Sequence, residues 1–264
     1  MPRTAIRSSK QMKNRLKLLG EVDFHNATAE QTERALESLD VITDLCSHAD
    51  IANDFHKIGG YRILVPMLAS PVAAFRSGAA NLIAELAQNN PYSQERLQEA
   101  SILEVLLEML DKDSVVECRV KALYGISCLV RAHEQLEDDF IRRGGLDYLF
   151  RALNSDSDKL QTKAAFLLQS LLHKSAEHRE NAVALGIGDQ LLKLLHSDNE
   201  QVREIVSGAL VQLTADGDTP AAFRQIICGE EWLNSLHSLA ESENADSDEV
   251  KNYKTLLETI KRWS

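Results

Sequence analysis

The stretch RSGAANLIAELA, from Arg76 to Ala87, decides how the chain is read, because it returns three times in related form. The later copies are RVKALYGISCLV from Arg119, QTKAAFLLQSLL from Gln161 and REIVSGALVQLT from Arg203. Aligned on Leu86, Leu129, Leu171 and Leu213, they are spaced by 43, 42 and 42 residues, and a weaker copy ends at Leu45. Self-similarity at this period marks a repeat array. In the first copy Ala79, Leu82, Ile83 and Leu86 fall at i, i+3, i+4 and i+7, which is one face of an amphipathic helix.

Working outward, each long helix is preceded by a second apolar one: ILVPML ending at Leu68, LEVLLEML at Leu110, YLFRAL at Leu153 and QLLKLL at Leu195. Their spacings of 42, 43 and 42 match the first set. Before that helix lies a short segment closing on a turn, as in Phe55 to Gly60 and Phe140 to Gly145, both ending in Gly-Gly. Glycine fits where one helix stops and the next leaves at a steep angle. A phosphate cradle would need a preceding strand and a following Gly-Lys-Ser/Thr, and neither occurs. Ser114 with Glu117, Ser197 with Glu200 and Thr28 with Gln31 have the spacing of capping boxes that open helices. Pro71, Pro91 and Pro220 fall in expected connections, and Pro66 in an early helical turn.

Three helices in about 42 residues is the armadillo arrangement, with the two-helix HEAT repeat as the nearest alternative. The Gly-Gly turn after a short first helix favours armadillo. The expected fold is therefore all-α, an armadillo-repeat α-α superhelix (solenoid) with helical caps at both ends, because a repeat cannot cover its own apolar face. The whole of 1–264 reads as a single armadillo-like domain. Residues 9–47 would form the N-terminal cap and weak first repeat, 48–216 four armadillo repeats, and 217–264 the C-terminal cap. Met12, Leu16 and Leu19 stripe the first cap; Trp232, Leu233, Leu236 and Leu239, then Tyr253, Leu256, Leu257 and Ile260, continue the core at the other end.

Composition narrows the function. A formal charge of −11 opposes a polyanionic partner, so neither nucleic acid nor an anionic membrane is expected. No apolar run is long enough to span a bilayer, and MPRTAIRSSKQ lacks a secretory apolar stretch, so a cytoplasmic protein is expected. Cys46, Cys118, Cys128 and Cys228 form no C-x-x-C pair, which points to reduced thiols and no metal. The eight histidines are dispersed without a His-Glu-x-x-His pattern, and no Gly-x-Ser-x-Gly elbow occurs. The acidic runs Asp111 to Asp113, Asp216 to Asp218 and Glu241 to Glu249 lack calcium-loop spacing and read as solvated connections. Neither catalysis nor a cofactor is expected.

Function then falls to the groove that third helices line in such a stack. On the face opposite the apolar stripe stand Gly78, Asn81 and Glu85, then Lys121, Tyr124, Cys128 and Arg131, then Lys163, Phe166 and Ser170, then Gly208 and Gln212. Tyr124 and Phe166 offer stiff aromatic contact area, with packing inward between third helices as the alternative. Lys121, Arg131 and Lys163 would form a locally basic centre suited to an acidic patch on a partner.

The string from Arg119 to Arg131 and the stretch from Lys163 to Leu172 resemble the heat-shock protein 70-binding-protein family of armadillo nucleotide exchange factors, the HspBP and Fes group. The likeness extends to Met12-Lys13, Asp44-Leu45-Cys46, Glu177-His178, Gly208-Ala209-Leu210 and Leu256-Leu257. The resemblance implies a cochaperone whose concave face embraces one lobe of the chaperone's nucleotide-binding domain, opens the cleft and releases ADP; a monomer is expected. The alternative is an armadillo adaptor binding an extended peptide, as in nuclear import. The Trp and Asn ladder of such adaptors is replaced here by Tyr124 with Cys128 and Phe166 with Ser170.

Overall fold

The computed structural model describes residues 3–131, 133–215, 219–241 and 247–263, with backbone alone for 3–9. Every regular element among them is helical. The Asp216 to Asp218 turn and residues 242–246 of the acidic stretch lie outside the described residues.

The helices gather into two compact units, Met1–Arg142 and Arg143–Ser264. The first holds α1 (Arg3–Gly20) and α2 (Ala29–Cys46), then the short, middle and long order of the repeat. That order runs α3 (Ala49–Lys57), a 3-10 turn (Gly60–Ile63) entering α4 (Leu64–Leu68), and α5 (Ala73–Ala87). It returns as α6 (Pro91–Glu99), α7 (Ile102–Lys112) and α8 (Val116–Val130), and α9 (Glu134–Arg142) ends the unit. The second unit holds α10 (Gly145–Leu153) and α11 (Asp158–Lys174), then α12 (Ala176–Ala184), α13 (Ile187–Leu194) and α14 (Glu200–Leu213). Its last helices, α15 (Ala221–Ile227), α16 (Glu230–Ala240) and α17 (Asp248–Lys261), keep the same order.

Within each unit the long helices form the spine. α5 packs against both α2 and α8, and α14 against both α11 and α17. Ala79, Leu82, Ile83 and Leu86 are fully buried, as the periodicity requires. So are Ala80, Ala84 and Ala87, whose small side chains let neighbours close in. At Gly125 a Cβ would stand 3.3 Å from the Ala80 carbonyl oxygen and 3.1 Å from Leu106 Cδ1, so the α5–α8 approach leaves little room there.

The first residue of each quoted stretch has a shared task that periodicity alone does not reveal: it ties its helix to the backbone of the segment just before it, the connecting loop or, at Arg119, the last turn of α7. Arg76 Nη1 donates to the Ser70 carbonyl at 2.8 Å and Arg119 Nε to that of Leu110 at 2.9 Å. Gln161 Nε2 donates to Ser155 at 2.7 Å and Arg203 Nη1 to Ser197 at 2.8 Å. Arg76 also forks onto Asp113 at 2.7 and 2.9 Å, and Arg203 Nε reaches Glu249 Oε1 at 2.8 Å. Asp113 is thus an ion-pair partner rather than part of a solvated run.

Some expected boundaries move. Thr28 and Gln31 make the capping box. Ser114 and Ser197 do not cap: α8 starts after Val115, and α14 is capped by Asn199, whose side chain accepts from Gln201 and Val202. Both serines lie one or two residues too early, where they can only brace the loop, as Ser197 Oγ does for the Asn199 amide. Pro91 sits at the first position of α6 rather than in a connection. Ser247 caps α17, so Asp248 and Glu249 open a helix where a loop was expected. Met12 and Leu19 are buried, Leu16 half-buried, and Tyr253, Leu256, Leu257 and Ile260 form a buried stripe. Of the α16 set only Leu236 is buried; Trp232, Leu233 and Leu239 stay half-exposed, because α16 packs on α15 and α17 alone among the larger contacts.

The turns after α3, α6, α9 and α12 are left-handed, with Gly59 at φ 81°, Ser101 at 54°, Gly144 at 76° and Gly186 at 80°. Ser101 takes the conformation without the residue suited to it. Ser101→Gly is expected to stabilise the chain by about 0.5–1 kcal/mol, after allowing for the entropy of an added glycine, and to raise the thermal midpoint by about 1–3 °C. A lowered midpoint in a thermal melt would contradict this.

Burial alone would raise the Asp113 carboxyl, but the Arg76 fork and the Val115 amide outweigh it and hold it below the usual carboxylate range. A carboxyl lowered on folding adds stability above its unfolded value, about pH 4, and that contribution disappears as pH falls through the folded value. Asp113→Asn is therefore expected to be less stable than wild type at pH 7, with the gap narrowing below about pH 4. A gap independent of pH would remove the ion-pair account.

Candidate partner-binding surface

In the first unit the ladder residues meet across α5 and α8. Lys121 Nζ donates to Asn81 Oδ1 at 3.0 Å. One helical turn on, the Tyr124 hydroxyl lies 3.3 Å from both Glu85 Oε1 and Gln88 Oε1, so its proton serves either acceptor. Burial, with the neighbouring Cys128 and Glu85, pushes the phenol above its usual value, which keeps it a donor throughout the physiological range. Asn81, Glu85, Lys121, Tyr124 and Arg131 are half-buried. Cys128 is 6% exposed, so its side chain belongs to the wall's interior and offers a partner very little surface. Arg131 is the residue that follows α8 and closes it.

In the second unit the corresponding residues lie on α11 and α14. Lys163 and Ser170 are half-buried, and Phe166 is 42% exposed. His173 Nδ1 and Gln212 Oε1 are 2.9 Å apart. Gly208 is buried, with a Cβ there falling 2.9 Å from Gln169 Nε2, so the glycine makes room for that amide. The two aromatics thus differ: Tyr124 is braced at its hydroxyl within a wall, whereas Phe166 presents much of its ring to solvent.

Gln88, Gln169 and His173 join these walls and were not singled out from sequence. Gln88 lies three residues after Glu85 and His173 seven after Phe166, so carrying the helical period one turn past each ladder would have found both. In each unit the surface is polar and preformed, with an aromatic on its third helix. Such a surface can grip a protein by aromatic contact and hydrogen bonds. Among the described residues, no group of three His, Cys, Asp or Glu stands ready for a metal, and no helix is long and apolar enough to cross a membrane.

Comparison with known proteins places this architecture. Residues 51–184 match the model of the SIL1/FES1/HPBP1 C-terminal domain. The chain belongs to this family. It is 35% identical over 260 residues to Hsp70-binding protein 1 of Rattus norvegicus, covering 94% of this chain and 72% of the relative. It is 28% identical to the Hsp70 nucleotide exchange factor FES1 of Saccharomyces cerevisiae, over 58% of this chain and 54% of that protein. Among solved structures, the designed armadillo repeat protein YIII(Dq)4CqI aligns over 93% of this chain and 99% of its own, with a TM-score of 0.74 at 19% identity. That likeness bears on the fold alone and identifies it as an all-α armadillo-type repeat solenoid.

The exposure of Phe166 predicts that Phe166→Ala costs less than about 1 kcal/mol of stability, while Tyr124→Ala, losing half-buried ring and hydroxyl bonds together, costs about 2 kcal/mol. Chemical denaturation of both variants checks the order. The reverse order would place the Phe166 ring in the core.

Proposed function

We propose that this protein is a non-enzymatic cochaperone that acts as nucleotide exchange factor for a cytosolic heat-shock protein 70, binding the chaperone's nucleotide-binding domain through its concave third-helix face. The observation that carries this reading is the 35% identity over nearly the whole chain to a protein named for binding Hsp70. The exchange step finds support in the relative named as a nucleotide exchange factor. On this reading the protein works as a monomer in the cytoplasm and takes no cofactor.

The mechanism needs no chemistry from this chain. If the protein binds the chaperone with its nucleotide cleft open more tightly than with it closed, each molecule bound weakens ADP by the factor by which ADP weakens the protein. ADP leaves and ATP refills the site. The contact side chains would be the ladder residues, Asn81, Glu85, Lys121, Tyr124 and Arg131 in one unit and Lys163, Phe166, Ser170 and Gln212 in the other. Cys128, being buried, would contribute by packing behind Tyr124.

Stopped-flow release of a fluorescent ADP analogue from purified chaperone tests the proposal. This protein is expected to speed release about tenfold or more, within the range typical of such coupling. Lys121→Glu combined with Phe166→Ala is expected to weaken chaperone binding about tenfold while leaving helical content and the thermal midpoint nearly unchanged. Unchanged release with the wild-type protein would overturn the reading.

A further inference from the structure

The first unit carries a feature that the ladder residues do not use. α1 contains Arg3, Arg7, Lys10, Lys13, Arg15 and Lys17 and no acidic residue, on a chain whose net charge is −11. Lys10, Lys13 and Lys17 are exposed, at i, i+3 and i+7, so they share one stripe of the helix. Among the described residues, none of the three is held in an ion pair. Next to that stripe on the helical wheel come Leu16 and Gly20.

Those two residues form one side of a cleft of about 510 Å3. Leu19, Val22, Phe24, Ile63 and Pro66 supply most of the rest of its apolar lining. Arg62 stands at the cleft as an exposed cation, its Nε donating to the Gly59 carbonyl at 3.1 Å. Asp23 also lines it, but this carboxylate is committed to its own loop, accepting from the His25 amide at 3.0 Å and from Asn26 Nδ2 at 2.9 Å.

From this juxtaposition we propose that the cleft between α1 and the Gly60–Leu68 segment, with the lysine stripe along its edge, is a second docking site, whose ligand is an acidic amphipathic segment of another protein. Apolar side chains of that segment enter the cleft, while its carboxylates lie along Lys10, Lys13, Lys17 and Arg62. Charge complementarity selects the acid, and the concave apolar lining selects a polypeptide. A membrane surface fits less well: among the described side chains of α1, Met12 and Leu19 are buried within the unit and Leu18 is the one exposed large apolar residue, which makes no stripe to insert. Nucleic acid would meet Glu21 and Asp23 at the same end of the helix and finds no stack of exposed aromatics there.

The test uses the full chain and a fluorescein-labelled twelve-residue peptide alternating Asp or Glu with Leu or Phe, read by fluorescence anisotropy. A control peptide carries Lys in place of each acid. The acidic peptide is expected to bind with a Kd of tens of micromolar, about tenfold more weakly when salt rises from 50 to 300 mM, and the control is not expected to bind. Lys10→Glu/Lys13→Glu/Lys17→Glu is expected to weaken binding about tenfold or more. Gly20→Phe should do the same by filling the cleft, since a Cβ there meets nothing within 4 Å and the fold has no reason to yield. Both variants should speed ADP release as wild type does, so the site is tested separately from the exchange reading. Peptide affinity equal in wild type and variants, equal binding of the control, absence of binding up to 1 mM, preference for vesicles containing phosphatidylserine over the peptide, or loss of ADP release in the variants would each overturn the proposal.

Discussion

The close stacking of long helices is the constraint on which the rest of the structure depends. α5 between α2 and α8, and α14 between α11 and α17, bury their apolar stripes only because neighbouring long helices stand beside them. Alanine and glycine set the separation: Ala79, Ala80 and Ala84 in one unit and Ala164, Ala165, Gly208 and Ala209 in the other are buried or, at Gly208, tightly approached. Side chains on the remaining face are thereby brought within hydrogen-bonding distance of the next repeat, as the Lys121 to Asn81 and Tyr124 to Glu85 contacts show. Packing and surface are two sides of the same helix. A substitution that widened the stack would disorder the wall even though it touched none of its residues.

A wall braced in this way would bind a partner with little further ordering, and preorganisation of this kind raises affinity by lowering the entropic cost of association. On the proposed reading, it would also let this chain change another protein's reaction with nucleotide without chemistry of its own. Rigidity lets binding energy be expressed as a preference between two shapes of the partner, and reciprocity then requires the nucleotide to respond. Among the wall residues described, Phe166 exposes 42% of its surface, whereas the half-buried Tyr124 has its hydroxyl between Glu85 and Gln88.

Much of this was legible in the sequence, for identifiable reasons. The 42-residue period carried the three-helix order and the long-helix cores, and the Gly-Gly pairs marked left-handed turns that the backbone adopts at Gly59 and Gly144. Capping was less legible: Ser114 and Ser197 have the right spacing, but Asn199 lies nearer its helix and wins the amides. Periodicity read the α17 stripe correctly but misjudged α16, because it reports which face is apolar and not whether a neighbour covers it; hence Trp232, Leu233 and Leu239 remain half-exposed. In the ladder, the positions off the apolar stripe could be named, but the bracing of Tyr124 comes from Glu85 and Gln88, 39 and 36 residues away, which no local pattern encodes.

The account stands or falls on differential binding. Its most direct measurement is the affinity of this protein for one purified heat-shock protein 70, nucleotide-free and then saturated with ADP, by isothermal titration calorimetry at a single salt concentration. The account predicts tighter binding to the nucleotide-free chaperone, by the same factor by which this protein lowers the chaperone's affinity for ADP. Equal affinities in the two states would contradict it.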